Sequence, residues 1–220
     1  MLYLSSYMLG DYGDRLLSMA GGHGARMAVL TNALDAIPLE AQLNHARTKF
    51  DPLTYFLQSG FDPSLLDLRR YFGRRQDLAD ILKQYRVIWA LGGNSFLLRR
   101  AMRDSGFDAI LYDMLENDVV YAGWSAGVCV AGDRMDAVAV MDEPNATAPG
   151  YVTSDPINTG LGLLPYTIIP HYESDHPETS AASKSVRWAK DHGVEYVALR
   201  DGEVILENQG RIEILPKLHL

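Results

Sequence analysis

The sequence predicts an α/β fold in a single domain spanning residues 1–220, with a mainly parallel sheet flanked by helices and a C-terminal antiparallel hairpin. Short apolar runs alternate with helical stretches through residues 2–122. Those runs are continuously apolar, which is typical of parallel strands covered on both faces. No linker rich in Pro, Gly or Ser divides the chain. Sheets of this kind bind ligands at the carboxyl ends of their strands.

The predicted elements follow one another in regular order. Strand and helix periodicity, with Gly and Pro at the boundaries, assign each segment its type. A run at residues 166–170 is a further strand, and β-like runs separated by Asp201-Gly202 and by residues 208–210 predict the terminal hairpin. The earlier strands are predicted at residues 2–7, 27–31, 65–68, 87–91 and 119–122, the helices near residues 11–20 and at 38–58, 74–85, 95–104 and 107–116, and the last β-like runs at 194–199, 203–207 and 211–215.

Composition and charge restrict the class of protein. There are 20 Lys and Arg against 28 Asp and Glu, a net charge of −8, which argues against nucleic acid and anionic membrane surfaces as partners. The single cysteine, Cys129, excludes an intrachain disulfide and a zinc site of several thiolates. We expect a cytoplasmic protein, because the N-terminal residues lack the basic region of a signal peptide and no apolar run reaches transmembrane length.

A turn at residues 123–127, Gly-Trp-Ser-Ala-Gly, directly follows the strand at 119–122. A serine on a tight strand-to-helix turn projects its hydroxyl toward a base, and flanking glycines permit the strained backbone. The motif predicts Ser125 as a nucleophile and the N–H of Ala126 as an oxyanion donor. Gly92-Gly93-Asn94, at the end of the preceding strand, offers a glycine N–H as second donor. So short a motif also fits a turn that merely connects strand and helix.

His171 is the predicted general base, because it follows the strand at 166–170 and so lies at a strand end. His176 is the main rival. The other histidines are interpreted as loop, surface or structural residues: His23, His45, His192 and His219.

Several carboxylates could orient that base, and their spacing does not select among them. Cys129 lies one helical turn beyond Ser125 and is predicted to be a buried hydrophobic residue, not a nucleophile. The candidates for the orienting carboxylate are Asp133, Asp136, Asp142, Glu143, Glu173 and Asp175.

The pattern resembles the S51 serine peptidases, which include dipeptidase E (α-aspartyl dipeptidase) and the cyanophycinases. The residues that carry this resemblance extend over most of the chain, in the family's order and approximate spacing. They are Leu4-Ser5-Ser6-Tyr7, residues 92–96 (Gly-Gly-Asn-Ser-Phe), residues 123–127 and Pro170-His171-Tyr172.

The resemblance implies a function and a set of roles. It implies Ser125 as nucleophile, His171 as base, Gly93 and Ala126 as oxyanion donors and, through Met141-Asp142-Glu143-Pro144, Asp142 as the third triad member. It further implies a fold like that of class I glutamine amidotransferases, although serine in place of their cysteine argues against glutaminase chemistry. No cofactor or metal is implied.

The expected substrate is a small peptide, in particular a dipeptide with N-terminal aspartate. An isoaspartyl or cyanophycin-type amide, or another ester or amide, is an alternative, as is a non-catalytic binding domain. The cations considered for holding the aspartate side chain are Arg134, Lys184 and Arg187. A homo-oligomer is left open. This chain departs from the dipeptidase after Gly127 and in the length of residues 125–171, which bears on substrate choice.

Overall fold

The computed structural model describes residues 1–218, which form a seven-stranded sheet and a separate two-stranded sheet. The order of the large sheet is β3-β2-β4-β5-β1-β8-β9; the first five strands are parallel to one another, β8 is antiparallel to β1, and β9 is antiparallel to β8. The predicted fold class is confirmed. The strands are β1 (Leu2–Ser5), β2 (Ala25–Leu30), β3 (Phe61–Leu66), β4 (Val87–Ala90), β5 (Val120–Trp124), β6 (Thr167–Ile169), β7 (Tyr196–Ala198), β8 (Val204–Asn208) and β9 (Arg211–Leu215).

Helices cover both faces of the large sheet. Neighbouring residues of β4 point to opposite sides: Ile88 packs into one apolar core and Trp89 into the other. Both are fully buried, which explains why the strands are continuously apolar in sequence. No helix within residues 1–218 is long and apolar enough to cross a membrane. The helices are α1 (Gly13–Met19), α2 (Leu39–Thr48), α3 (Pro52–Gln58), α4 (Arg75–Leu82), α5 (Ser95–Ser105), α6 (Phe107–Leu115), α7 (Ala126–Cys129) and α8 (Thr179–Asp191).

The single helix predicted over residues 38–58 is two helices. Asp51 is the N-cap of the second helix, and its carboxylate accepts hydrogen bonds from the N–H groups of Leu53 (3.2 Å) and Thr54 (3.1 Å). Pro52 is the first residue of α3, where its missing N–H removes no helical hydrogen bond. The Asp-Pro pair therefore starts a new helix.

Strand β3 begins four residues before the predicted position, at Phe61, and includes Pro63. It pairs only with β2, at the edge of the large sheet. Proline is tolerated in an edge strand because one side of the strand needs no backbone donor. The predicted stretch 65–68 therefore combines the end of β3 with a short 3₁₀ turn that begins at Leu68.

Strand β6 does not join the large sheet but pairs in parallel with β7. The run predicted at residues 194–199 therefore belongs to this small sheet, and the antiparallel hairpin consists of β8 and β9 alone. Because β6 and β7 are parallel neighbours, the residues that follow them, 170–171 and 199–201, emerge side by side. This pairing brings two distant parts of the sequence together.

Residues 141–166 form a long connection that contains no helix or strand beyond a single bridge at Thr159. Arg100, fully buried on α5, donates to the carbonyls of Ser154 (2.7 Å), Pro144 (3.1 Å) and Ala146. A buried guanidinium needs several acceptors, and here the connection supplies them. Arg100 thus fixes the segment that begins at Asp142 against the helix.

Candidate active site

Ser125 lies on a strained turn between β5 and α7. Its φ of 49° and ψ of −114° are unusual for a residue with a side chain and are held by the surrounding packing. A Cβ at Gly123 would lie 2.8 Å from the carbonyl oxygen of Ala90, and one at Gly127 would be closer still. Only glycine therefore lets the turn pack against the end of β4. The geometry has the form of a nucleophile elbow.

The glycine pair after β4 lies against this turn. A Cβ at Gly92 would lie 3.0 Å from Cβ of Ser125, and Gly93 has a φ of 132° with no room for a side chain beside the backbone of Ala33. Among residues 1–218, no hydrogen bond uses the N–H of Gly93 or of Ala126. Both donors are therefore free to stabilise negative charge on a reacting carbonyl oxygen beside Ser125.

His171 is buried directly beyond β6, with 1% of its surface exposed and a positive φ of 62°. Its Nδ1 lies 2.9 Å from Oδ1 of Asp201, whereas its Nε2 is buried without a hydrogen-bond partner in the described part of the chain. A proton on Nδ1, shared with the carboxylate, leaves the lone pair of Nε2 available as a base. Ser125 and His171 make no hydrogen bond to each other.

The carboxylate that contacts the imidazole of His171 is that of Asp201, whereas the sequence analysis expects Asp142 in this place. Burial raises the pKa of Asp201, but hydrogen bonds from His171 and Ser6 outweigh it and hold the pKa below its ordinary value. The pairing of β6 with β7 places residue 201 beside residue 171, and no local pattern in the sequence reveals that pairing. In sequence, Asp201-Gly202 has only the signature of a turn between two β-like runs.

Asp142 instead lies at the start of α5. Its Oδ2 accepts a hydrogen bond from the N–H of Ser95 at 2.9 Å. Burial raises the pKa of Asp142 to about 6; the bonds from Ser95 and the charge of His171 oppose this shift, and Glu178 adds to it. Asp142 is thus close enough to His171 and Glu178 for their charges to affect its pKa, but it does not contact the imidazole of His171.

The other candidate carboxylates and cations are engaged elsewhere or exposed. Arg134 pairs with Asp136 at 2.9 Å, and Glu173 pairs with Arg200. None of the remaining candidates bonds to His171 or Ser125 within the described chain: Asp133, Glu143, Asp175, Lys184 and Arg187.

Cys129 is buried in the short helix α7. Burial raises the pKa of its thiol, so the reactive thiolate is disfavoured. The expectation of a buried hydrophobic residue is confirmed.

Ser6 joins the three groups, a connection that the sequence interpretation missed. Its hydroxyl donates to Oδ1 of Asp201 (2.7 Å) and accepts from the backbone N–H of His171 (2.8 Å). Its carbonyl oxygen accepts from the N–H of Ser125 (3.2 Å). Ser6 is fully buried at the carboxyl end of β1, an inner strand of the large sheet, where polar residues are uncommon unless they serve a site. That position is the signal that could have identified it.

Three side chains lie beside the ring of His171, and we call them the outer cluster: Tyr7, His176 and Glu178. The rings of His171 and His176 are stacked, with centroids 3.7 Å apart and planes within 6°. Oε2 of Glu178, whose side chain is 49% exposed, lies 3.7 Å from Nε2 of His171. Burial, with a contribution from His171, lowers the pKa of His176. None of the three side chains forms a hydrogen bond to Nε2 of His171 in the described part of the chain.

The chain is similar to known proteins in sequence and in fold. The model of peptidase family S51 matches residues 46–215. An uncharacterized peptidase of Pasteurella multocida (strain Pm70) is 26% identical over 186 residues, covering 84% of this chain and 83% of that protein. Peptidase E of Streptomyces coelicolor is 27% identical over 199 residues, covering 85% of this chain and 77% of its own. The match to peptidase E of Haemophilus influenzae Rd, at 34% identity, spans 43% of this chain and 39% of that protein.

The fold has a counterpart among solved structures. A crystal structure from Listeria monocytogenes EGD-e, of a protein that carries a provisional peptidase E name, superimposes with a TM-score of 0.75 at 17% identity. The superposition covers 98% of this chain and 97% of the other. The superposition shows a shared fold, and the family model matches well over half of the sequence. The chain belongs to peptidase family S51.

Proposed function

We propose that this chain is a serine peptidase that cleaves small peptides through an acyl-enzyme, with Ser125 as nucleophile and His171 as general base. One observation carries the proposal: a serine on a strained turn is linked through Ser6 to an imidazole whose Nδ1 is held by Asp201 and whose Nε2 is free. That arrangement supplies a nucleophile, a base and an orienting carboxylate beside the carboxyl ends of their strands.

The reaction follows from these positions. Oγ of Ser125 attacks the peptide carbonyl carbon while its proton passes to Nε2 of His171, and the N–H groups of Gly93 and Ala126 hold the oxyanion. The C–N bond then breaks, and the proton on Nε2 passes to the leaving amine. Water attacks the acyl ester by the same route and releases the acid and Ser125. Asp201 stabilises the imidazolium in both halves.

The first step needs the Ser125 hydroxyl to turn toward Nε2, since the two make no hydrogen bond in the free protein. Catalytic hydrogen bonds commonly tighten only when substrate is bound. The Nε2 atom is otherwise unpartnered, so no existing hydrogen bond has to break before it accepts the proton.

The substrate we propose is a dipeptide with a free N-terminus and aspartate in the first position. The resemblance to dipeptidase E, together with membership of family S51, supports the aspartate. The acidic surroundings of His171, supplied by Asp142 and Glu178, favour a free α-ammonium group near the scissile bond.

The test combines active-site labelling with a substrate panel. Wild type should react with a fluorophosphonate probe and should hydrolyse Asp-X at least tenfold faster than Ala-X or N-acetyl-Asp-X. Ser125→Ala and His171→Ala should lose labelling and at least about 10⁴-fold in kcat/KM. Ser180→Ala, an exposed serine on α8, is the matched control and should behave as wild type.

Two results would contradict parts of this proposal separately. Folded wild type that neither labels nor cleaves any peptide would overturn the peptidase assignment. Labelling with equal rates for Asp-X and Ala-X, or a preference for isoaspartyl peptides, would overturn the aspartyl specificity and leave the serine mechanism standing.

A further inference from the structure

Three side-chain atoms of types that can ligate a metal lie close together at the ring of His171. One nitrogen each from His171 and His176 and one carboxylate oxygen of Glu178 lie within 4.8 Å of one another. Two imidazoles and a carboxylate form a ligand set that Zn²⁺ uses in proteins, with a fourth position left for water. The cluster mixes a buried, a partly buried and an exposed residue, so it extends from the protein interior to the surface.

The buried member of the cluster is already oriented as a ligand. Nε2 of His171 is enclosed by protein and has no hydrogen-bond partner within residues 1–218. Its other nitrogen is fixed by Asp201 at 2.9 Å. A carboxylate on the far nitrogen is the usual second contact of a metal-bound histidine, because it sets the tautomer and makes the ligating nitrogen more basic.

The spacing of the first two donors admits an ion. Nε2 of His171 and Oε2 of Glu178 are 3.7 Å apart, too far for a hydrogen bond. Two coordinate bonds of about 2.0–2.2 Å span this gap at an open angle. Glu178 can shorten it further, since half of its side chain is exposed and no hydrogen bond of the described chain holds its carboxylate.

His176 must turn to complete the set. In the stacked arrangement its nitrogen lone pairs lie in a plane parallel to that of His171, so one ion cannot lie in both planes. The ring of His176 is held by the backbone N–H of Glu178, which donates to Nδ1 at 3.2 Å. It also makes an edge-to-face contact with the ring of Tyr7, with the two ring centroids 5.2 Å apart. These contacts are weak enough for a partly buried side chain to exchange for a metal bond.

We propose that His171, His176 and Glu178 bind a divalent transition ion, Zn²⁺ in particular, and that the bound ion inhibits the enzyme. The coordinate bond would occupy the lone pair of Nε2, which could then no longer accept the proton of Ser125. Binding follows from the ligand set alone, whereas the inhibition rests on the proposed function of His171.

The experiment measures binding and inhibition separately. Chelator-treated Ser125→Ala protein is titrated with Zn²⁺ by calorimetry and with Co²⁺ by visible absorption, so no turnover is needed. We expect one ion per chain and the intense visible bands of four-coordinate Co²⁺. His176→Ala and Glu178→Gln, each in that background, should weaken Zn²⁺ binding at least tenfold. His192→Ala, which removes an exposed histidine stacked on Trp188, is the matched control and should bind as before.

Inhibition is then tested in active protein. Zn²⁺ should inhibit wild type and His192→Ala, whereas the Zn²⁺ concentration that halves the rate of His176→Ala should rise at least tenfold, each variant being compared with its own rate in chelator. His176→Gln, closer in size, should behave in the same way and guards against a folding defect.

Zn²⁺ affinity unchanged by His176→Ala and Glu178→Gln would overturn the site, and equal inhibition of His176→Ala and wild type would overturn its effect on the base. If the protein cleaves no peptide, the titrations still decide the metal site.

Discussion

The two sides of the His171 ring differ in how completely their polar groups are paired. On the inner side, Nδ1 contacts Asp201 and the backbone N–H contacts Ser6, which itself bonds to Asp201. On the outer side, Nε2 has no hydrogen-bond partner in the described chain, and Glu178 stands 3.7 Å away. The inner side holds the ring in one orientation, and the outer side leaves one nitrogen free to react. Rigid support behind a free reacting atom is what a catalytic base requires.

The largest effect should come from breaking the inner side at its carboxylate. Asp201→Asn would favour the wrong tautomer of His171 and should lower kcat by about 10³–10⁴-fold with little change in KM. Asp142→Asn should act mainly on KM, because Asp142 lies near the site without contacting the ring. Steady-state kinetics over a range of pH measures both.

The matched control for Asp201→Asn is Asp175→Asn, an exposed carboxylate close in sequence to His171, which should leave both constants unchanged. A loss of kcat in Asp142→Asn as large as that in Asp201→Asn would show that the wrong carboxylate has been assigned to the base.

An intermediate effect is expected from Ser6→Ala, which removes the bridge but none of the proposed reacting groups. The N–H of His171 would lose its acceptor in a buried place, and Asp201 would lose a donor. We expect the free energy of unfolding to fall by about 1–3 kcal/mol, as measured by urea denaturation. The pKa of Asp201 should rise, so activity should decline at a higher pH on the acid side of its profile.

Ser5→Ala separates support of the site from general stability. The hydroxyl of Ser5 bonds to backbone carbonyls of Met8 and Gly123 and does not contact His171 or Asp201. Its loss should lower stability and leave the pH profile unchanged. If both serine variants alter the profile equally, Ser6 has no positioning role of its own.

The smallest effect concerns Asp142, outside the paired inner network. Its pKa of about 6 in the folded chain lies above its ordinary value, so the folded state holds a proton that the unfolded chain has released. Stability therefore falls as pH rises from about 4 through 6. Asp142→Asn should reduce the loss of stability between pH 5 and pH 8 by about 1 kcal/mol, as measured by denaturation at the two pH values. Asp136→Asn serves as control, and a loss equal to wild type in both variants would contradict the raised pKa.

The sequence predicted the parts of the site that lie on local patterns. The turn at Ser125 combines a buried strand, two glycines and a short helix, all adjacent in sequence, and His171 follows its strand directly. The break between α2 and α3 was also visible, in Asp51 and Pro52, but the apolar periodicity across residues 38–58 concealed it.

The role of Asp201 could not be predicted in this way, and the strand-end position of Ser6 marks the residue without revealing its partners, because both roles depend on which strands become neighbours. The parallel pairing of β6 with β7 and of β1 with β5 is decided by packing across the whole domain. A carboxylate beside Gly202 in a turn has the same local signature whether it orients a base or only caps a hairpin.

The hydrogen bond from Ser6 to Asp201 spans 195 residues, so the loop it closes includes nearly the whole chain. Contacts of such long range carry a large entropic cost and form late in folding. A chain that ends after β5 contains Ser125 but neither His171 nor Asp201, which meet only when β6 and β7 pair. With the proposed roles of Ser125 and His171, hydrolytic activity would thus require the completed fold, and a nascent or partly unfolded chain would carry Ser125 without its base.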